Sequence, residues 1–364
     1  MNGTHVLVGM SGGVDSSVAA ALLLERGYRV TGVTMQTYGG EFVAADELPA
    51  TFHGCYGPGE AEEIALARRV AARLGIDHHL IDVRAAYHSE VLDDYRREYE
   101  AGRTPNPCVR CNRTVKFGAL WDAAQAAGLA ARLFATGHYA RVEFDAASGR
   151  RQLLRGCDHA KDQSYFLSAL RQDQLARSLF PLGEFTKAEV RERSAALGLG
   201  VEAEPESQDF ATGLHETFFA GTARPGPIVD AAGRRLGTHR GIAFYTIGQR
   251  RGLGIAAPHP LYVTAIDPRT NEITVGSKEH VLSEGVRAER MNWISRSRPE
   301  GPIRVQAQIR YRHPSAPAKA VPIGEDGLEL RFEEPQLAVT PGQTVVLYDG
   351  DLVLGGGIVA EPVS

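Results

Sequence analysis

The chain has 364 residues, 43% hydrophobic and 23% charged, with 40 Gly and 19 Pro, a composition that indicates a folded protein of two or three domains and excludes a disordered or collagen-like chain. No run of 18 or more apolar residues occurs, and the first residues form a short β-type run, so neither a membrane span nor a secretory signal is expected. The formal net charge is −4, yet residues 221–320 hold 16 Lys or Arg against 7 Asp or Glu, a net +9 that leaves −13 for the rest. This basic stretch predicts contact with a polyanion, and a solvated Arg-rich surface is the alternative.

Strands and helices alternate over the first 140 residues. The pattern predicts, in chain order, a strand at His5–Gly9, a helix at Val14–Arg26, a strand at Tyr28–Met35, a helix at Gly59–Leu74, and strands at His78–Val83 and Leu133–Thr136. Strands that alternate with helices form a parallel sheet with helices on both faces. The predicted fold class of this part is therefore α/β, with a Rossmann-like parallel sheet.

The pattern changes after this sheet. The runs ARVEF and RQLLR flank the turn sequence DAASGR between residues 139 and 154 and predict a hairpin. Helices are expected at Gln163–Ser178 and Thr186–Leu197, and a capping box between Thr186 and Glu189 is expected to start the second one.

From Pro205 onward the helical periodicity is lost. Short β-rich runs such as GPIVD, YVTAID, EITVG and LELRF, separated by Gly, Pro, Asp and Asn, predict two small β-rich domains, the last of them a β-barrel. We predict three domains, with boundaries at 1–204, 205–279 and 280–364.

The string SGGVDSS at 11–17 lies between the first strand and the first helix. Adjacent glycines let backbone amides approach a phosphate, Ser hydroxyls add donors, and the N-terminus of the following helix is positive. A tight turn with an N-capping residue is the simpler alternative, but the position between strand and helix favours an anion-binding loop. The string has neither the Gly-Lys-Ser/Thr ending of a Walker loop nor a G-x-G-x-x-G pattern.

The extended string GMSGGVDSS resembles the SGGxDS loop of the N-type ATP pyrophosphatases, which cleave ATP to AMP and pyrophosphate. The resemblance implies adenylation of an acceptor oxygen with Mg²⁺ present, and not transfer of the γ-phosphoryl group. An enzyme that adenylates a small metabolite belongs to the same superfamily and is one alternative function, although it offers no use for the basic β-rich domains.

Six further strings occur in order along nearly the whole chain. They are TPNPCVRCNRTVKF at 104–117, ATGHYAR at 135–141, KDQSYFL at 161–167, FYTIGQRRGLGI at 244–255, IRYRHP at 309–314 and TPGQTVVLYDGDLVLGGGI at 340–358. Together these strings resemble the tRNA-uridine 2-sulfurtransferase family, the tRNA-specific 2-thiouridylases. The family replaces the C2 oxygen of the wobble uridine by sulfur in tRNAs for lysine, glutamate and glutamine: ATP adenylates that oxygen, and a sulfur nucleophile then displaces AMP.

The resemblance implies a cytoplasmic enzyme with tRNA and a sulfur donor, either sulfide or a persulfide carrier, as its partners. The four cysteines agree with a reducing compartment, since they are too few for a disulfide framework in a chain of this length. A tRNA-binding protein without enzymatic activity is another alternative, but it would not need an intact phosphate loop.

The resemblance also implies roles for particular residues. ATP would be bound by Gly9, Met10, Ser11, Gly12, Gly13, Val14, Asp15, Ser16, Met35 and Gly137, with Asp15 positioning Mg²⁺-pyrophosphate as a catalytic residue. tRNA would be contacted by Asn106, Pro107 and Cys108 near the target base, by Lys161, Asp162 and Gln163, and by Arg310 and Tyr311 in the C-terminal domain. Each of these residues also has a structural alternative, such as a core position for Met35 or an exposed turn for Lys161.

The cysteines depart from the two-cysteine members of the family. Cys111 matches their first catalytic cysteine, but Ala211 stands where the second, persulfide-bearing cysteine would be. A relay between those two positions is therefore not available. Cys108 replaces the Asp of an Asn-Pro-Asp stretch and forms a CxxC pair with Cys111.

Cys55 lies in the same βα half of the domain and is expected to converge with Cys108 and Cys111 near the carboxyl edge of the sheet. Three thiolates can hold three irons of a [4Fe-4S] cluster and leave the fourth iron open, so we favour a cluster bound by these cysteines, with Cys108 and Cys111 as catalytic residues. A persulfide on the CxxC pair and a zinc site completed by a histidine such as His53 are the alternatives. Cys157 is expected to be an incidental buried thiol.

Overall fold

A computed structural model describes residues 3–41, 55–201, 210 and 214–363. None of the helices in these ranges has the length and apolar character of a membrane span. The position of Ala211, where the family's second cysteine is missing, lies outside the described residues, as does His53.

The N-terminal part contains a parallel sheet. Its strands are β1 (His5–Gly9), β2 (Arg29–Gln36), β3 (Asp77–Asp82), β4 (Leu133–Ala135) and, after the hairpin β5 (Ala140–Asp145) and β6 (Arg150–Arg155), β7 (Ser178–Leu179). The order is β3-β2-β1-β4-β7, and every neighbouring pair in it is parallel. The carboxyl ends of all five strands therefore lie at one edge of the sheet, and the predicted fold class is confirmed.

Helices cover this sheet. They are α1 (Val14–Glu25), α2 (Glu60–Leu74), α3 (Arg84–Tyr87), α4 (Asp93–Glu100), α5 (Pro107–Cys111), α6 (Leu120–Ala126), α7 (Ser164–Leu167), α8 (Gln172–Ala176) and α9 (Lys187–Ala196). π-helical segments, His88–Leu92 and Asn112–Ala119, join α3 to α4 and α5 to α6. Val18, Ala19 and Ala20 are fully buried, because the small side chains of α1 allow it to pack closely against both the sheet and other helices.

Two helix predictions need correction. The single helix expected at Gln163–Ser178 is two short helices, because Gln174 accepts a hydrogen bond from the Arg171 amide and starts α8 afresh. The region after Pro205 is not free of helix either: α10 (His215–Phe219) is present, and one turn is too short to show periodicity. The capping box of Thr186 and Glu189 at the start of α9 is confirmed.

The central part is a four-stranded sheet. Its strands are β8 (Gly226–Asp230), β9 (Arg235–His239), β10 (Tyr262–Asp267) and β11 (Glu272–Gly276), in the order β10-β11-β8-β9. The small core of this sheet includes Ile228, Val263 and Ile273, which are fully buried.

The C-terminal part is a closed antiparallel barrel of six strands. They are β12 (Leu282–Trp293), β13 (Ile303–Gln308), β14 (Ala316–Ile323), β15 (Gly327–Leu337), β16 (Thr344–Asp349) and β17 (Leu352–Val363). The order is β12-β15-β14-β13-β16-β17, and pairing of β12 with β17 closes it. The predicted hairpin β5–β6 pairs with β17 and extends the barrel sheet, so the barrel is joined to the N-terminal part by backbone hydrogen bonds.

Candidate active site at the carboxyl edge of the parallel sheet

The loop after β1 has the geometry of an anion cradle. Gly12 has φ +82°, and a Cβ at this position would lie 2.8 Å from the Glu63 carbonyl oxygen, so only glycine fits between the loop and α2. The hydroxyls of Ser16 and Ser17 donate to the Gly13 carbonyl at 3.2 and 2.8 Å and tighten the turn. Gly13 is the N-cap of α1 and offers no side-chain cap, which leaves the first helix amides for a ligand.

Asp15 is held by two residues that the sequence did not reveal. Lys187, at the first position of α9, donates to both carboxylate oxygens of Asp15 at 2.8 and 2.9 Å, and the Tyr139 hydroxyl donates to one of them at 2.8 Å. The side chain of Lys187 is 9% exposed and that of Asp15 is 30% exposed. The buried ammonium of Lys187 therefore lies directly beside the phosphate loop, paired with the Asp15 carboxylate.

Gly137 lies against the back of the same loop. A Cβ at this position would be 2.7 Å from both the Asp15 carbonyl carbon and the Ser16 amide nitrogen. The ATGHY turn therefore fits closely behind the start of α1, and Gly137 has a structural reason to be glycine. Contact between Gly137 and the adenine of ATP stays a prediction.

The two methionines predicted to bind ATP differ in exposure. Met10 is buried, its amide donates to the Val33 carbonyl at 2.8 Å, and its carbonyl accepts from the Thr34 hydroxyl at 2.7 Å. Met35 is only partly buried, near the carboxyl end of β2. Met35 is therefore the methionine whose side chain is accessible to a nucleotide. The backbone of Met10 fixes the loop to the sheet.

Three cysteines influence one buried tyrosine. Tyr87, which ends α3, is 1% exposed, and its pKa is raised well above the usual value by burial first and then by electrostatic interaction with Cys111, Cys55 and Cys108. The ring of Tyr87 stacks on that of Tyr56, which follows Cys55, with centroids 5.3 Å apart. The cysteines of two distant stretches thus act electrostatically on one tyrosine, and we call Cys55, Cys108 and Cys111 the thiol trio.

The Cys111 thiol has a strongly shifted pKa. Burial is the largest cause that raises this pKa, to about 11, with a smaller raising effect of Cys55, while the ammonium and amide of Lys116 act in the opposite direction. A thiol with such a pKa is protonated at neutral pH unless a base or a metal ion takes the proton. Desolvation first, and then Lys116, lower the pKa of His138, next to Gly137, so one cation acts on both the thiol site and the phosphate-loop side.

The donor set is what a soft metal or an iron-sulfur cluster prefers, since it consists of thiols. Within the described ranges, however, no group of three or more His, Cys, Asp or Glu side chains is arranged to hold a metal ion. Cys55 is exposed, and Cys108 and Cys111 are partly buried. The residues therefore fit a cluster by the chemistry of their thiols, without a preformed ligand geometry. Cys157 lies elsewhere and is exposed beside Glu184, so the prediction of a buried thiol is wrong.

The segment predicted to meet the target base is built by a helix cap. The Asn106 side chain accepts a hydrogen bond from the Val109 amide at 3.2 Å, and Pro107 occupies the first turn of α5. This cap fixes the turn that carries Cys108 and Cys111. Contact of Asn106, Pro107 and Cys108 with a base stays a prediction.

The segment Lys161–Gln163 supports neighbouring loops. The Asp162 carboxylate is buried, forms an ion pair with Arg155 at 2.9 Å and accepts hydrogen bonds from the Gly156 amide and from Ser164. Gln163 accepts from the Tyr139 amide at 3.0 Å. Asp162 is therefore engaged inside the protein and is not presented at the surface as a bonding group for RNA.

Tyr311 is a contact between the barrel and α7. Its ring packs on Phe166 of α7 with centroids 4.2 Å apart, and the Asn112 side chain donates to the Phe166 carbonyl at 3.1 Å. Arg310 precedes it and is partly exposed. The three segments predicted to contact tRNA thus lie around α5 and α7, although they come from distant parts of the chain.

Three family models match the chain. The model described as a tRNA methyl transferase HUP domain covers residues 4–211, that of a tRNA methyl transferase PRC-barrel domain covers 219–277, and that of an aminomethyltransferase beta-barrel domain covers 283–359. Among solved structures, the U34-tRNA thiolase NcsA from Methanococcus maripaludis with its [4Fe-4S] cluster aligns over 57% of this chain and 61% of that one, at 19% identity and a TM-score of 0.34, a similarity too weak to bear on this chain.

Curated relatives match along almost the whole chain. The tRNA-specific 2-thiouridylase MnmA of Heliobacterium modesticaldum is 46% identical over 98% of this chain and 92% of its own length. The protein of the same name from Geotalea uraniireducens is 46% identical over 99% of this chain and 96% of its own length. With a family model over more than half of its residues as well, the chain belongs to the tRNA-specific 2-thiouridylases, a family of sulfurtransferase enzymes.

Proposed function

We propose that this chain replaces the C2 oxygen of the wobble uridine by sulfur in tRNAs for lysine, glutamate and glutamine, with ATP and Mg²⁺ as the activating reagents. Family membership supports tRNA thiolation. The observation that carries the finer proposal is that the phosphate loop and Tyr87, whose pKa all three cysteines raise, follow the parallel strands β1 and β3 and so lie at the same edge of the sheet.

The phosphate loop would bind ATP for adenylation. Loop amides and Ser hydroxyls would receive the phosphates, and Lys187, fixed by Asp15, would offset the negative charge that develops on the departing pyrophosphate. Adenylation converts the C2 oxygen of uridine into part of a good leaving group, AMP. A sulfur nucleophile then forms the C2–S bond while the C2–O bond breaks, and AMP leaves with that oxygen.

The thiol trio would bind a [4Fe-4S] cluster. Such a cluster, bound by three cysteines, supplies one iron with an open position for a sulfur ligand. Tyr87 and its aromatic neighbours would exclude water from this place, since Tyr87 is buried under Tyr56. The donor that supplies the sulfur would be sulfide or a persulfide carrier, and a persulfide on the CxxC pair is the competing route.

tRNA would lie across the N-terminal part and the two β-rich parts. The basic region 221–320 contributes exposed cations, among them Arg250 and Arg251, which suit a phosphate backbone. Arg310 and Tyr311 beside α7 suit contacts with backbone and base near the thiol trio.

The test is to purify the protein without oxygen, measure its iron, sulfide and visible absorbance, and incubate it with tRNA, ATP and sulfide. About four irons per chain, and 2-thiouridine made from sulfide alone, would support the cluster mechanism. An iron-free protein that thiolates tRNA only with a persulfide donor would instead indicate a persulfide mechanism through Cys108 and Cys111.

The same preparation separates the other functions. A thiouridylase releases pyrophosphate from ATP only when the acceptor tRNA is present, and a tRNA with cytidine at the wobble position is the matched control. Release without tRNA would indicate an enzyme that adenylates a small metabolite. Binding of tRNA without binding of ATP would indicate a protein that only binds RNA.

A further inference from the structure

The segment Thr104–Pro107, which we call the TPNP segment, precedes the turn that carries Cys108 and Cys111. It lies where all three parts of the molecule meet. Residues just before it already touch the other parts: a Cβ on Gly102 would lie 3.1 Å from Ile266 in the central sheet, and Arg103 forms an ion pair with Glu289 of the barrel at 3.2 Å. The segment that leads into the thiol-bearing turn therefore lies at the interface between the N-terminal part, the central part and the barrel.

Thr104 is the residue that joins the three parts. It is 9% exposed, and its hydroxyl donates to the Thr246 hydroxyl of the central part at 3.2 Å. Its amide donates to the Pro341 carbonyl of the barrel at 2.8 Å. Its carbonyl accepts from the Gln343 side-chain amide at 2.9 Å, and the same amide nitrogen is 3.3 Å from the Pro105 carbonyl. Both backbone groups of Thr104 are thus bonded to the barrel.

The barrel turn that makes these contacts, Thr340–Gln343, is itself firmly fixed. The Gly342 amide donates to the Val359 carbonyl, and the Val359 amide donates to the Gln343 carbonyl, each at 2.8 Å. Gly342 has φ +90°, and a Cβ there would lie 2.9 Å from the Thr104 amide nitrogen. The turn therefore lies flush against the TPNP segment, with no room for a side chain between them.

We propose that Gln343, with Gly342 beside it, is a positioning residue of the thiol site. Its side chain holds the Thr104 and Pro105 carbonyls, which fixes the backbone up to Asn106, and Asn106 caps the turn on which Cys108 and Cys111 lie. The barrel thereby sets the place of two thiols that belong to another part of the chain. The functional consequence rests on the proposed thiolation, whereas the positioning itself does not.

The positioning is tested by hydrogen exchange, which needs no activity. Gln343→Ala removes the two contacts, and Gln343→Glu keeps the shape but loses the donor and sets a carboxylate against two carbonyls. We expect amides 104–112 to exchange about tenfold faster in both variants, with β5 and β6 unchanged. Gln336→Ala, which removes another barrel Gln bonded to a carbonyl at 2.7 Å, is the matched control and should leave amides 104–112 as they are.

Glycine variants give a second, independent test. Gly342→Ala introduces a Cβ against Thr104, whereas Gly350→Ala adds a Cβ at another positive-φ position of the barrel, φ +58°, with nothing within 4 Å. Faster exchange of amides 104–112 is expected for Gly342→Ala and not for Gly350→Ala. Equal effects of the two variants would overturn the proposal, as would unchanged exchange in the Gln343 variants.

Activity then measures the consequence. Gln343→Ala should lower kcat for 2-thiouridine formation about tenfold while KM for ATP stays within about twofold, because ATP is expected to bind at the phosphate loop and not at this turn. If the wild-type protein makes no 2-thiouridine, the proposed function fails while the exchange result still decides the positioning. If thiolation falls and exchange does not change, the positioning by Gln343 is refuted.

Discussion

The phosphate loop and the thiol trio share one sheet edge but are built in different ways. The loop is one continuous string whose binding groups are backbone amides and Ser hydroxyls, fixed by Gly12 and Gly13 between β1 and α1. The thiol trio joins two stretches more than fifty residues apart, and its groups are side chains that act together on the pKa of Tyr87. The first kind of site depends on local backbone geometry, and the second depends on how the whole domain packs.

The two sites also differ in charge. Lys187 and Asp15 place a cation and an anion side by side at the loop, so this site is built from charged groups. At the other site, burial raises the pKa of the Cys111 thiol to about 11, so this thiol is neutral at neutral pH until a base or a metal ion takes its proton. We therefore expect changes at the two sites to affect different steps.

The largest expected effect that separates the two sites comes from Cys55→Ser. It removes one of three thiol ligands and should lower 2-thiouridine formation by more than about a hundredfold, while release of pyrophosphate in the presence of tRNA stays within about twofold. Mass analysis of tRNA nucleosides and a pyrophosphate assay check the two steps. Cys157→Ser, at the exposed thiol beside Glu184, is the control and should be fully active. Full activity of Cys55→Ser would instead favour the persulfide route.

A change at the ion pair of Lys187 and Asp15 should instead affect adenylation and not the thiol site. Lys187→Met should reduce pyrophosphate release about a hundredfold and leave the iron content unchanged, because the buried cation beside the phosphate loop is lost. Asp15→Ala should abolish adenylation, because Asp15 holds Lys187 and is expected to position Mg²⁺-pyrophosphate. Unchanged pyrophosphate release in Asp15→Ala would refute that role.

These residues also show what the sequence could predict. The loop at 9–16 was located because its glycines, its hydroxyls and its place between strand and helix are adjacent in the chain. Lys187 is 172 positions from Asp15, and the only local signal was its place next to the capping Thr186. A pattern within one stretch reports backbone geometry, but it does not report which distant helix will supply a counter-charge.

The thiol site could be predicted from the sequence in part. Convergence of Cys55 with Cys108 and Cys111 was predicted from the rule that ligands bind at the carboxyl edge, and their shared effect on Tyr87 supports it. Tyr87 itself could not be predicted, since it lies in a helical stretch without an unusual pattern. The contact of Gln343 with the TPNP segment could not be predicted either, because it depends on how the barrel docks.

A smaller effect is expected from Gly137→Ala. The added Cβ would lie 2.7 Å from two backbone atoms at the start of α1, so the phosphate loop must shift, and we expect KM for ATP to rise about tenfold with little change in iron content. Gly301→Ala, where nothing lies within 4 Å, is the matched control. Steady-state pyrophosphate release at varied ATP checks both variants, and an unchanged KM would show that the loop does not depend on the ATGHY turn.

The smallest effect should come from Tyr139→Phe. The variant loses only the hydroxyl that donates to Asp15 at 2.8 Å, while Lys187 still holds both carboxylate oxygens, so we expect pyrophosphate release to fall about threefold to tenfold. The ring stays buried, and its amide keeps the bond to Gln163, so folding should be unaffected. A loss as large as that of Lys187→Met would mean that Asp15 needs an orienting hydrogen bond as much as a counter-charge. The phosphate site would then depend on distant side chains to the same degree as the thiol site, and the difference between the two would lie in their chemistry alone.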